Sequence, residues 1–426
     1  MSNQVEVRPR VIVCTDISTV GARKGEPDDT QSLVRFLLYA NHFDVEGLIA
    51  TSASHDDRVH PDYIRSIVSA YGRVRDNLAL HDPAYPTARY LLDRVKAGAD
   101  DRNALGPGCD TEASDWIISA VEKPDPRPIW IVMWGGAREL AQAISKMERG
   151  GDTARLAAFR SKVRVYAIGD QDAGCAWIKT HHPNAFYITA RHAYRGMYRD
   201  GDTSLCTRDW VQQNVTTGHG ALGAAYPNYD GGDPWGAVKG IKEGDTPSFL
   251  YLIPNGLGNP EQPAWGSWGG RFSGPGPQYT DAKDVVGGEN SERATVYRWR
   301  AAYQADFRAR LDWCVKPFDK ANHAPTACVT GPPSRKVASG GIAQLDATGS
   351  TDPDGDKLAC DWYFYREPSS YRGELAIEHG DNGRARFRAP RVDSPQTIHI
   401  ILTVTDDGFP ALRGYRRVVV TVEPGQ

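Results

Sequence analysis

The chain has 426 residues, which at about 150 residues per domain asks for two or three domains and excludes a disulfide-stapled mini-protein. Lys and Arg number 50 against 53 Asp and Glu, a formal charge of −3, so no global field draws the chain to nucleic acid or to an anionic membrane. Mean hydropathy is −0.50, and no apolar run approaches the roughly 20 residues of a bilayer span.

Residues 11–15 are a short β-branched run. After a loop, Leu33, Phe36, Leu37 and Ala40 recur at helical spacing from Asp29 onward, which predicts strand, loop and amphipathic helix. Residues 45–50 read as a second strand, and Ile64, Ile67, Val68 and Tyr71 mark the next helix face. Residues 129–133 predict a strand before a helix from about Ala137, and 163–168 and 186–189 follow with helical stretches between. Strands alternating with helices predict an α/β domain with a mostly parallel sheet and helices on both faces.

Residues 218–276 shift to Gly, Pro and aromatics, with 249–253 as a lone predicted strand. Long loops of this kind are commonly functional, and a chain with 11 Trp and 19 Tyr offers aromatic rims that suit carbohydrate. Residues 292–313 predict one long helix, and 316–325 a linker. Beyond it, 358–365, 385–388, 397–405 and 415–422 alternate or run apolar between Gly, Pro and Asp turns, which predicts a β-sandwich. The division expected is an α/β catalytic domain over residues 1–318 and an all-β sandwich over 319–426. The seven cysteines are scattered without a CxxC pair and are expected to be mostly reduced and buried. Residues 1–10 lack the apolar core of a secretory signal.

The densest chemistry is Cys14, Thr15 and Asp16 at the end of the first strand, then Glu26, Pro27, Asp28 and Asp29 at the start of the first helix. Ligands of open α/β sheets bind beyond the carboxyl ends of the strands, so Asp16, Asp28 and Asp29 are expected to converge at a crevice. Clustered carboxylates repel unless a cation lies between them, and all-oxygen ligands suit calcium, or magnesium less well. Asp28 and Asp29 alone would be explained as residues that complement the start of a helix. Asp16, ending a buried strand, has no such reason to be there.

His219, between Gly218 and Gly220, and His55, just after the second strand, are candidate general acids, with Glu26 a third. Gln171 and Asp172 follow a strand end and are candidates for sugar hydroxyls, the alternative for Asp172 being a helix cap. Trp177, Trp235, Trp265 and Trp268 would stack on sugar faces or fill the core. Asp352, Asp354 and Asp356 read as a polar turn, because Lys357 and Tyr363 stand where an EF-hand loop needs Gly and a bidentate Glu. The chain contains no P-loop, HExxH, GxSxG elbow or strand-linked GxGxxG.

Residues 11–16 (VIVCTD), 26–30 (EPDDT), 45–52 (VEGLIATS), 131–136 (IVMWGG), 168–172 (IGDQD), 218–223 (GHGALG), 243–248 (EGDTPS) and 265–270 (WGSWGG) occur in an order that resembles the nucleoside hydrolase superfamily. The resemblance is to the branch with a C-terminal immunoglobulin-like domain, often described as cellulose-binding. Residues 345–356 (LDATGSTDPDGD), Trp362 and 402–408 (LTVTDDG) likewise resemble PKD-like and cadherin-like modules of immunoglobulin type. The resemblance implies calcium, with Asp16, Asp29, Asp245 and the Trp134 carbonyl as its ligands and Asp28 on sugar hydroxyls. It also implies Asp16 as the general base toward a calcium-bound water that attacks an anomeric carbon.

Four features depart from that pattern: the loop 17–27 is longer than the superfamily's turn, Cys14 replaces a further Asp, Gly244 stands where nucleoside-cleaving members carry a His, and the superfamily's Asn- and Glu-bearing segment for ribose is not recognisable, residues 169–172 (GDQD) and Trp177 standing near its place. The expected function is therefore a calcium-dependent glycosidase acting on a carbohydrate, a furanoside among the candidates. The alternatives are a non-catalytic cellulose-binding protein and a nucleoside N-ribohydrolase. Carbohydrate is the expected partner, without nucleic acid or membrane, and a homo-oligomer is compatible with the sequence.

Overall fold

Burial on both faces explains the first strand. In a computed structural model describing residues 8–21, 27–52 and 56–425, every position of β1 (Arg10–Thr15) is buried. Alternate side chains of a strand point to opposite faces, and here each face has its own core: Val11 and Val13 enter one apolar cluster, Ile12 and Cys14 another. The same holds for the later strand Ile129–Met133, where Trp130 and Val132 face the first cluster and Ile129, Ile131 and Met133 the second. Such doubly covered strands are what parallel α/β sheets require.

After β1 come β2 (Asp44–Ala50), β3 (Val95–Ala97), β4 (Ile129–Met133), β5 (Val163–Ile168), β6 (Phe186–Ala190), the hairpin β7 (Tyr229–Asp233) and β8 (Gly236–Gly240), then β9 (Phe272–Ser273) and β10 (Gln278–Asp281). Eight of these form one sheet in the order β3-β2-β1-β4-β5-β6-β10-β9. Its neighbours pair in parallel except β9 with β10. Helices Asp28–Leu38 and Pro61–Gly72 pack on one face through Leu33, Phe36, Ile64 and Val68. Helices Glu112–Val121 and Arg138–Arg149 cover the other through Ile117, Leu140 and Ile144. No helix among the described residues is long and apolar enough to cross a membrane.

Two sequence expectations need correction. No strand forms over 249–253: Phe249 and Leu250 end a helix, Thr246–Leu250, and 251–253 lie in the turn beyond it; a short apolar run does not distinguish a buried helix from a buried strand, and Pro247 fits the first turn of a helix, where its missing N–H costs nothing. The single long helix expected over 292–313 is two, Ala294–Tyr297 and Arg300–Trp313. All seven cysteines are free.

The C-terminal strands form a four-stranded sheet (Ser334–Ala338, Arg413–Glu423, Gln396–Thr405, Ala359–Tyr365) and a three-stranded one (Ile342–Asp346, Arg384–Arg388, Glu378–His379). Between them lies a core of Leu345, Trp362, Phe387, Ile400, Leu402 and Val420. The outer face docks on the α/β region: Tyr365, Ile401 and Tyr415 join its first apolar cluster, and the Tyr365 hydroxyl donates to fully buried Asp284 at 2.7 Å. Arg417 reaches across to donate to the carbonyls of Leu257 and Trp265 at 2.8 and 2.9 Å, and its Nη1 lies 3.0 Å from His399 Nδ1.

Burial, with Arg417 beside it, holds the His399 imidazole down at about 3, whereas an unfolded His titrates near 6.5. Between those values the unfolded chain binds the extra proton. This contribution to stability is therefore complete above about pH 6.5 and is lost as pH falls toward 3. Thermal melts from pH 7 to 5 should show wild type losing stability more steeply than His399→Gln, by up to about 1.4 kcal/mol per pH unit. Parallel slopes would assign the acid sensitivity to other groups.

Candidate functional site

Strand order reverses between β1 and β4, so the connections leaving their carboxyl ends run in opposite directions and leave a crevice between them. A cleft of about 430 Å³ opens there, lined by Asp16, Asp28, Asp29, Trp134, Gln171 and Asp245 together with Asp170, Arg191, His192, Tyr194 and Arg195. Among the described residues, five carboxylates and two guanidiniums line it. Oxygens of Asp28, Asp29 and Asp245 all lie within 4.8 Å of one another.

Local structure explains how the acids arrive. Asp16 is the first residue beyond β1 and is 8 % exposed. Its carboxyl lies over Gly135, where a Cβ would come within 2.7 Å of it, so only glycine permits that approach. The Thr15 hydroxyl donates to Asp29 Oδ1 at 2.5 Å, which ties the strand end to the first helical turn. Asp245 stands at the start of helix Thr246–Leu250 without a side-chain capping hydrogen bond, so capping does not account for its carboxylate. The Ser248 hydroxyl holds that turn by donating to the Asp245 carbonyl at 2.6 Å, and itself accepts from Trp134 Nε1 at 2.9 Å. Lys242 Nζ lies 3.8 Å from Asp28 Oδ2. A Cβ on Gly244 would meet the Tyr194 ring at 3.3 Å and Asp28 Oδ2 at 3.5 Å, so Tyr194 already fills the place beside Asp245.

The sequence-derived candidates divide clearly. Asp16, Asp28, Asp29, Asp245, Trp134 and Gln171 meet in the cleft. Gln171 uses its amide there, donating to the carbonyls of Trp134 and Ile168. Asp172 does not reach it: its oxygens accept from the backbone N–H groups of Arg138 at 2.8 Å and Cys175 at 3.0 Å, the latter capping helix Ala173–His181. Trp177 lies on that helix, stacked on His181 at 4.9 Å.

His219 is 7 % exposed at the start of helix Gly220–Ala224, its Nε2 3.4 Å from Asp312 Oδ1. It packs against the last α/β helix instead of lining the cleft, so it is not placed to act as the acid. Trp265 and Trp268 belong to the contact between the two regions, edge-on to His399 and Tyr415. His55 and Glu26 lie outside the described residues.

Sequence reasoning missed the loop after β6. His192 and Tyr194 line the cleft, and Arg195 stacks 4.4 Å from the Tyr194 centroid and 3.5 Å from that of Trp235, itself 57 % exposed. Asp281, at the end of β10, fixes this loop by accepting from the backbone N–H groups of Arg191 and His192 at 2.9 and 2.8 Å, while burial raises its own carboxyl above the usual range. The available signal was position, since these residues follow the carboxyl end of a parallel strand.

Comparison with known proteins gives a consistent picture. Residues 10–272 match the family described as cellulose-binding Sde182, nucleoside hydrolase-like domain, and 343–422 match the cellulose-binding protein Sde0182 C-terminal domain. The chain is similar to a nucleoside hydrolase-related protein of Saccharophagus degradans associated with carbohydrate metabolism. The two are 35 % identical over 98 % of this chain and 100 % of that one, with a TM-score of 0.80. A PKD domain studied in solution is 19 % identical over 24 % of this chain and 92 % of its own, and its TM-score of 0.18 carries no argument. No curated protein matches.

Proposed function

Because the chain belongs to the family of cellulose-binding Sde182 proteins with a nucleoside hydrolase-like domain, we propose that the cleft hydrolyses a glycosidic bond of a carbohydrate with the help of calcium. The observation that carries this reading is the meeting of Asp28, Asp29 and Asp245 within 4.8 Å in a cleft that Asp16 also lines. Hard carboxylate oxygens from three separate stretches of chain fit calcium by donor chemistry. Asp16, Asp29, Asp245 and the Trp134 carbonyl would hold it. Bound there, the ion supplies Lewis acidity that lowers the pKa of water.

The chain's own residues do the rest. A carboxylate oxygen of Asp16 accepts the proton of the attacking water, and Asp28 accepts hydrogen bonds from sugar hydroxyls. The anionic wall stabilises the positive charge that develops at the anomeric carbon. His192, exposed on the cleft wall and held by Asp281, donates a proton to the leaving oxygen. Trp235, backed by Arg195, offers an outer surface for a second sugar.

A second reading is carbohydrate binding without turnover, favoured by the cellulose-binding description of both matching families. Incubation with a panel of aryl furanosides and pyranosides, inosine, uridine and insoluble cellulose separates the readings. Release of the aryl group supports hydrolysis, and its dependence on His192 is tested by His192→Gln. Retention on cellulose with no release would leave binding alone, and base release would make the protein a nucleosidase.

A further inference from the structure

Arg195, on the segment after β6, is 8 % exposed and lines the cleft. Its guanidinium stays charged whatever the surroundings, and a buried charge is costly unless an anion faces it. The other arginines of the same segment have such a partner: Arg191 pairs with Asp170 at 2.8 Å, and Arg199 pairs with Asp233. Asp170 is already shared, since Lys179 Nζ lies 2.6 Å from it. Among the described residues, no carboxylate lies within ion-pair distance of Arg195.

Aromatic rings hold Arg195 instead. Its guanidinium lies 3.5 Å from the Trp235 centroid and 4.4 Å from that of Tyr194. Ring faces attract a cation, but they return only part of the hydration that burial removes. Its one hydrogen bond among the described residues runs from Nη1 to the Arg191 carbonyl at 2.8 Å, and Nε is buried without a partner. The edge formed by Nε–H and Nη2 is therefore unused. Two parallel N–H groups of that kind match the two oxygens of a carboxylate.

We propose that the carbohydrate taken by the cleft carries a carboxylate, that of a uronic acid residue on the leaving side of the scissile bond, and that Arg195 binds it. This rests on the reading of the cleft as a sugar site. His192, the donor to the leaving oxygen, is three positions before Arg195 on the same segment. Trp235, whose exposed ring offers a surface to a second sugar, lies against the guanidinium. A sugar seated there brings its carboxylate beside Arg195, whereas a neutral one leaves the buried cation unanswered. A single negative charge fits better than the two of a phosphate, because five carboxylates line the same cleft and repulsion from them grows with the charge brought in.

The test compares disaccharides of galacturonic, glucuronic, mannuronic and guluronic acid with the same disaccharides after carboxyl reduction, so that each pair differs only in the charged group. In calorimetric titrations of the full chain, with calcium equal in cell and syringe, at least one acid should bind at least about 10-fold more tightly than its reduced partner. Arg195→Met should bring that ratio to about one, and Arg195→Lys, the second variant, should keep part of it, having the charge without the fork. A purely structural Arg195 would weaken both members of a pair alike, so a ratio that survives Arg195→Met overturns the proposal. So does a wild type that binds every reduced disaccharide as tightly as its acid, or that binds glucose 6-phosphate more tightly than any uronide. Binding of neither member of any pair overturns it together with the reading of the cleft. Turnover of these sugars, or its absence, bears on hydrolysis alone, because every ratio is read from binding.

Discussion

Asp29→Asn is expected to strip the cleft of its divalent ion and to lower hydrolysis by at least about 100-fold, with the fold retained. Thr15 donates to Asp29 Oδ1, and a carboxylate oxygen of Asp29 lies within 4.8 Å of oxygens of Asp28 and Asp245. An amide keeps the shape and one acceptor but removes the charge that a hard cation most requires. In chelator the variant should melt no lower than wild type, since three crowded acids become two. Metal analysis of dialysed protein, beside turnover on whichever glycoside wild type cleaves, checks both halves. Equal metal content in the two proteins would remove Asp29 from the ligand set. Lost metal with unchanged turnover would separate the ion from the chemistry.

What the sequence revealed and what it hid follow from how far each feature depends on distant residues. β1, β2, β4, β5 and β6 were legible because strands covered on both faces read as unbroken apolar runs, and all but the first position of β2 and β6 and the second of β5 are buried. β3 has three residues and β9 two, too few for any period to show. Asp16, Asp28 and Asp29 were legible as candidates because topology alone sends strand ends and helix starts to one edge of the sheet.

His192 was not, because the loop that carries it is aimed by Asp281, 89 positions along the chain. His219 misled for the opposite reason: flanking glycines suggest a free loop, yet Gly220 adopts φ +70° at the start of a helix packed against Asp312. Trp265 and Trp268 looked like sugar platforms because nothing in the sequence announces that the β-sandwich covers them.

Glu243→Ala is expected to cost about 3–5 kcal/mol, a fall in Tm on the order of 10 °C, and to empty the cleft of metal while the protein is still folded. Glu243 and Arg35 are both fully buried, paired at 2.6 Å, and Glu243 also accepts from the Tyr226 hydroxyl at 2.5 Å and from Thr246 Oγ1 at 2.8 Å. Removing it leaves a guanidinium in the core, still donating to Gln304 at 2.7 Å and seated on Phe307 at 3.7 Å but without its counter-charge. The pair does more than balance charge, because Asp245 follows two residues later and the Lys242 backbone N–H donates to Gln31 Oε1 at 2.6 Å. Two anchors in helix Asp28–Leu38, the helix that also supplies Asp28 and Asp29, thus set where Asp245 stands.

The double variant Arg35→Met, Glu243→Leu separates the two roles. Replacing a buried ion pair by apolar groups of similar volume is often close to neutral, so most of the lost Tm should return. If the pair positions Asp245, metal content stays low despite the recovered stability; full metal content in the double variant would confine the pair to holding the fold.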